Sequence, residues 1–220
     1  MDNSINCKYL FTLDTFLFRY IFNGLKYPWE ILTALKSTIE TIISHGIEGY
    51  TFFDNGVLVG KNVSIADSAR IEAPTIISDG CEIRHCAYIR GSVILGKGCV
   101  VGNSTEIKNS ILMDGVQAPH YNYVGDSILG NGAHLGAGAI CSNLRSDKKN
   151  VVIKGGSFSI DTKQRKLGAI LGDSVDIGCG AVLCPGTVIG KHSMVYPLTS
   201  VRGVHPENQI IKSGKTVLRE

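Results

Sequence analysis

Residues 57–112 read VLVGKNVSIADSARIEAPTIISDGCEIRHCAYIRGSVILGKGCVVGNSTEIKNSIL, and this stretch decides the fold. An aliphatic residue recurs at every sixth position, from Val59 through Ile65, Ile71, Ile77, Ile83, Ile89, Leu95 and Val101 to Ile107. Four residues after each stands a small or β-branched side chain: Val63, Ala69, Thr75, Cys81, Ala87, Val93, Cys99, Thr105 and Ile111. A period of six drifts off any single face of an α-helix with its 3.6 residues per turn, but suits short strands separated by corners. Self-similarity at a fixed short period marks a solenoid, so the residues predict a mainly β chain wound as a parallel β-helix of hexapeptide repeats. Glycine directly after the aliphatic position, as at Gly60, Gly96 and Gly102, fits a backbone that turns sharply there.

Beyond Ile107 the repeat slips by one residue to Leu112, Ala118 and Val124, and slips again to Leu129 and Leu135. It breaks off at Asn143 and resumes after Gly168 as Leu171, Ile177, Leu183, Ile189, Val195 and Val201. The excursion 143–168 carries Arg145, Lys148, Lys149, Lys154, Lys163, Arg165 and Lys166. A long basic loop inside a solenoid predicts contact with a phosphate-bearing ligand or a neighbouring subunit, with a merely solvated loop as the simpler reading. Ahead of the coil, Pro28 to His45 reads as one amphipathic helix stopped by Gly46, and a shorter helix is expected from about Asp14 to Phe22. The predicted organisation is an N-terminal α-helical cap over the open first rung (1–52), the coil (53–203) and a C-terminal tail (204–220).

The 220 residues carry 22 Lys and Arg against 19 Asp and Glu, a formal charge of +3, too small to make nucleic acid or a membrane surface the main partner. Hydrophobic residues at 44% and charged residues at 19% give globular composition. Seven cysteines without a CxxC pair suit reduced thiols and a cytoplasmic location, and Cys81, Cys99 and Cys141 fall on inward positions of the repeat. The apolar run Leu10 to Ile21 is short and broken by Asp14 and Arg19, so no membrane span is expected. The chain lacks GxGxxG, GxxxxGK[ST], GxSxG and HExxH patterns, and residues 1–52 offer no Gly-rich phosphate loop for nucleotidyl transfer. Six histidines without closely spaced pairs argue against a zinc centre shared between subunits, so no metal site is expected.

Chemistry concentrates in Pro119-His120-Tyr121-Asn122-Tyr123-Val124-Gly125-Asp126, where a histidine stands among polar aromatics. The small residues Leu135-Gly136-Ala137-Gly138-Ala139 that follow would let a long thin ligand lie along the coil against bare backbone N–H groups. The run from His120 to Asp126, with 129–138 (LGNGAHLGAG) and Asn143, resembles the C-terminal acetyltransferase domain of bifunctional glucosamine-1-phosphate N-acetyltransferase / UDP-N-acetylglucosamine pyrophosphorylase. The resemblance covers roughly residues 57–203, and 142–173 is closer to members that also accept galactosamine 1-phosphate.

That resemblance implies a left-handed β-helix assembled as a homotrimer, with acetyl-CoA as cosubstrate and a hexosamine 1-phosphate as acceptor in UDP-N-acetylhexosamine precursor synthesis. His120 matches the general base; Arg90 and Lys108 match phosphate-holding positions; Tyr123, Asn143 and Lys149 match further sugar-phosphate contacts. Ala137 matches a backbone donor to the thioester carbonyl, and Cys179, Pro197 and Lys212 match the acetyl-CoA groove. His134 stands where the family commonly has Asn, and Cys179 and Pro197 replace Ser and Ala. An alternative stays open: a non-catalytic trimeric β-helix that partners a separate nucleotidyltransferase.

Overall fold

The computed structural model describes residues 3–213 and 215–219. Its strands stack into three parallel sheets, one strand of each per coil. The first sheet climbs from Val57–Val59 through Thr75–Ile77 and Val93–Leu95 to Val204–His205. The second runs from Ser64–Ile65 to Gln209–Lys212, and the third from Arg70–Ile71 to Ser200–Val201. This is the parallel β-helix the period of six predicts, with the left hand that the family resemblance implies. Ile77, Ile83, Ile89, Leu95, Val101 and Ile107 all point into one core and are at most 1% exposed. Cys81 and Cys99 share that core, their thiols donating to the carbonyls of Gly96 and Met113 at 3.0 Å each, and Cys141 is buried with them.

The helical part of the N-terminal segment does not close the first rung, where, among the described residues, only the strand Thr51–Asp54 pairs antiparallel with Val57–Val59. Val63, Ile65, Ala69 and Ile71 of that rung stay only partly buried. Instead, Phe11, Phe16, Phe18, Trp29, Leu35 and Ile39 pack along the flank of the first sheet, against its outward Leu58, Ile76, Ile94, Ile111, Ile128, Ile170 and Val188. The first-sheet strands from Val57–Val59 to Thr187–Ile189 are buried on both faces, and several read as unbroken apolar triplets such as Val57–Val59 and Val93–Leu95. At about 25 cal/mol per Å² of apolar surface, covering a whole flank outweighs covering one rung.

The single helix expected from Pro28 to His45 is two elements, a 3₁₀ stretch Pro28–Thr33 and an α-helix Leu35–His45. Thr33 Oγ1 donates to the Glu30 carbonyl at 3.0 Å, and Ala34 at φ −107° and ψ 0° makes the joint. Gly46 ends the helix at φ 72°, as expected. Within Asp14–Phe22 only Arg19–Phe22 is helical, a 3₁₀ turn, because Phe16 and Phe18 both turn inward. A short α-helix at Cys7–Leu10, capped by Asn6 Oδ1 accepting the Tyr9 N–H at 2.8 Å, precedes it.

The coil also runs past 203. Val204–His205 continues the first sheet and Gln209–Lys212 the second, and Lys215–Leu218 folds back antiparallel on the latter. The excursion 143–168 is an ordered hairpin of Val152–Lys154 against Ser159–Asp161. Its Val151, Ile153 and Leu167 join the flank cluster, and Gln164 Nε2 donates to the Trp29 carbonyl at 3.0 Å. Both one-residue slips fall at the same corner, between the third and first sheets, where Ile107 to Leu112 and Val124 to Leu129 span five residues instead of six. The excursion leaves from that same corner one coil higher, and Leu171 rejoins in register with Leu129.

Candidate active site

His120 ends the second-sheet strand Gln117–His120 and stands at the corner leading to the third sheet. The corner is regular there; the shortened backbone lies at the next one. Coil upon coil, the same corner position is taken by Asn103, His120, Ala137, Cys179 and Pro197, as the ladder bonds Tyr121 N–H to Asn103, Gly138 to His120, Gly180 to Ala137 and Leu198 to Cys179 record. With coils about 4.8 Å apart, His120 to Pro197 spans about 14 Å. Gly136, Gly138, Gly178 and Gly180 flank Ala137 and Cys179 on either side, leaving bare backbone, and Tyr196 and the exposed Leu198 bracket Pro197 at the upper end. The Lys212 ammonium lies 4.4 Å above the Tyr196 ring, at the end of this edge. Ala137 is exposed, and its N–H donates no hydrogen bond among the described residues.

The His120 imidazole is exposed and forms no hydrogen bond among the described residues. Below it, Gly102 gives room: a Cβ there would overlap the Pro119 backbone. Across the third sheet, Tyr123, Asn143, Asp126 and Lys108 form one network. Asn143 Nδ2 donates to the Tyr123 hydroxyl at 3.1 Å and to Asp126 Oδ2. Asp126, 5% exposed, also accepts from Asn109 Nδ2 at 2.8 Å and from the Lys108 ammonium at 3.4 Å. Asn109 and Asp126, at φ 44° and 49°, are the residues that make the shortened corners, so the two slips bring Lys108, Asp126 and Asn143 together. Burial pushes the Tyr123 phenol up, opposed by the Asn143 hydrogen bond, and keeps it protonated at neutral pH. Arg90, one coil below Lys108, pairs with Glu106 at 2.6 Å and lies 5.9 Å from the Tyr88 ring.

The structure thus gathers Lys108, Tyr123 and Asn143 into one network on the third sheet, sets Arg90 one coil below it, and lines up Ala137, Cys179, Pro197 and Lys212 on the corner edge that His120 begins. Two predicted residues stand apart. His134 lies on the second sheet, its Nδ1 2.9 Å from Asp176 Oδ1. Lys149 sits in the excursion with its ammonium unpaired among the described residues and its backbone N–H on Asp147 Oδ1 at 3.2 Å. Two other basic residues of the excursion are internally paired, Arg145 with Asp147 and Lys163 with Asp161. Sequence reasoning gave Asp126 and Glu106 no role, although two successive five-residue steps pointed to the corner that Asp126 occupies. Among the described residues, no three or more His, Cys, Asp or Glu side chains are arranged to hold a metal ion, and no helix is long and apolar enough to cross a membrane.

Residues 71–189 match the family model described as GMPPB C-terminal domain. The chain belongs to this family. It is 32% identical over 176 residues to the bifunctional sugar-1-phosphate nucleotidylyltransferase/acetyltransferase of Sulfurisphaera tokodaii, covering 77% of this chain and 43% of that protein. It is 37% identical over 179 residues to the bifunctional protein GlmU of Methanococcus maripaludis strain C5, covering 79% of this chain and 43% of the relative. The chain therefore spans less than half the length of these relatives. A solved hexapeptide transferase family protein from Anaplasma phagocytophilum matches 76% of this chain and 86% of its own at 19% identity and a TM-score of 0.46.

Proposed function

We propose that this family member is an acetyl-CoA-dependent N-acetyltransferase whose acceptor is a hexosamine 1-phosphate, glucosamine 1-phosphate or galactosamine 1-phosphate, acting as a homotrimer in UDP-N-acetylhexosamine precursor synthesis. The observation that carries the reading is the edge itself: an unpaired imidazole at the foot of a glycine-flanked column, beside a polar network ending in a lysine. The Sulfurisphaera tokodaii relative, a sugar-1-phosphate nucleotidylyltransferase/acetyltransferase, points the same way.

In this reading the glycine-flanked edge from Ala137 to Pro197 receives the extended arm of acetyl-CoA, with Lys212 near its far end. The cosubstrate supplies an activated acetyl thioester. Lys108 and Arg90 hold the sugar phosphate, and Tyr123 and Asn143 contact the sugar. His120 takes the proton from the amino group as its nitrogen bonds to the acetyl carbon. The Ala137 N–H donates to the thioester oxygen as negative charge develops there, where a pre-placed donor needs no reorganisation. As the carbon–sulfur bond breaks, His120 returns its proton to the departing thiolate.

The test is CoA thiol release from acetyl-CoA with glucosamine 1-phosphate, galactosamine 1-phosphate or no acceptor, for the wild-type chain and His120→Ala. Sugar-dependent release that falls about 10²- to 10⁴-fold in a folded His120→Ala variant supports the reading. Release equal with and without acceptor, or unchanged in the variant, overturns it. A folded trimer silent with both sugars, yet binding a nucleotidyltransferase, favours the scaffold alternative.

A further inference from the structure

At the start of each third-sheet strand one residue points inward, and coil after coil it is small: Ala69, Ala87, Thr105, Ala139, Ala181 and Thr199. Asn122 is the exception. It occupies this place in the His120 coil, is 2% exposed, and leaves none of its polar atoms idle. Its Oδ1 accepts the His120 N–H at 3.1 Å. Its Nδ2 donates to the carbonyls of Gly136 at 2.8 Å and Ala139 at 3.3 Å, in the coil above. Its own N–H donates to Thr105 Oγ1 at 3.2 Å and its carbonyl accepts from Glu106 N–H at 2.9 Å, in the coil below.

One amide side chain therefore ties the backbone of His120 to both ends of the turn 136–139 that presents the Ala137 N–H. Tyr121 between them points outward at φ 52°, the left-handed corner conformation that Cys86, Ser104 and Leu198 repeat in other coils at φ 56°, 53° and 56°. A buried amide in a column of alanines and threonines is costly unless its hydrogen bonds are all made, and here they join two groups whose separation sets a reacting geometry. Resting on the acetyl-transfer reading above, we infer that Asn122 is a positioning residue that fixes the distance between the His120 base and the Ala137 backbone donor. It acts through those two groups and does not touch the substrates. Asn103, at the His120 position one coil lower, makes no such bridge, since its Nδ2 reaches only the His85 carbonyl at 3.1 Å.

The experiment compares full-length wild type with Asn122→Ala, Asn122→Asp and Thr199→Ala, the last removing a hydroxyl from the same column far from His120. Steady-state thiol release should show kcat lowered about 10- to 100-fold in Asn122→Ala with both KM values held within about twofold, the pattern of a misplaced reacting pair. Asn122→Asp keeps an acceptor for the His120 N–H but sets a carboxyl oxygen against the Gly136 and Ala139 carbonyls, so it should lower kcat at least as far as Asn122→Ala. Thr199→Ala should keep kcat. Amide hydrogen exchange by NMR gives a readout independent of activity: the His120 and Gly138 amides should exchange at least about tenfold faster in Asn122→Ala, with the Ile189 and Val201 amides unchanged. Wild-type kcat in a folded Asn122→Ala variant, or unaltered exchange at His120, overturns the inference. If wild type transfers no acetyl group, the functional reading itself falls and the catalytic role of Asn122 with it, and exchange alone then decides the tether.

Discussion

Replacing Asp126 by Asn changes one atom in the network that the two shortened corners create, and the cost follows from the partners. Asp126 Oδ1 accepts from Asn109 and Oδ2 from Asn143 and Lys108, so the amide of Asp126→Asn sets an N–H₂ against an amide donor on one side or the other. A buried donor left facing a donor costs about 1–3 kcal/mol. The Lys108 ammonium, its side chain 21% exposed, loses the countercharge that neutralises it, in a class of loss worth about 3–5 kcal/mol when fully buried. The contributions overlap and Lys108 keeps some water, so the expected loss is about 3 kcal/mol. For a chain of this size that lowers Tm by about 6–12 °C. Thermal and urea unfolding at one fixed protein concentration would measure it. The control is Asp147→Asn in the exposed Arg145–Asp147 pair, which should leave Tm unchanged despite its 2.6 Å contact. A loss under about 1 kcal/mol in Asp126→Asn, or equal shifts in both variants, would refute the view that the shortened corners build a buried, stabilising network.

The flank packing makes a second prediction. Ile128→Ala, on the outward side of the first sheet, should cost about 2–5 kcal/mol, as much as Leu129→Ala on the inward side, whereas Val182→Ala on the outward third sheet should cost under about 1 kcal/mol; a near-zero cost for Ile128→Ala in urea unfolding would return the N-terminal segment to the end of the coil. Thiol labelling with iodoacetamide at pH 8 should modify the exposed Cys86 and Cys179 quickly and the half-buried Cys184 more slowly. Burial pushes Cys7 up to about 11 and Cys141 up to about 12, so both stay protonated and unlabelled until the chain is denatured, and peptide mass mapping would show it.

The period of six determines the inward layer and the corners, because both follow from short-range alternation that a one-dimensional count preserves, whereas His120, Ala137, Cys179 and Pro197 are named by the family resemblance and stand on one edge in the stacked coils. The place of Cys81, Cys99 and Cys141 in the core follows for the same reason. Two things were decided only by the fold. The N-terminal segment chose a flank over the open end, because Leu58, Ile76 and their counterparts form a continuous apolar stripe only once the coils are stacked in register. The network of Lys108, Asp126 and Asn143, and the bridge from Asn122 to Gly136 and Ala139, join residues through hydrogen bonds spanning 14 to 18 positions. In the linear sequence these appear as two missing residues and an isolated amide. Their partners come into reach only when successive coils lie about 4.8 Å apart, so contact between coils, rather than local preference, builds the site around His120.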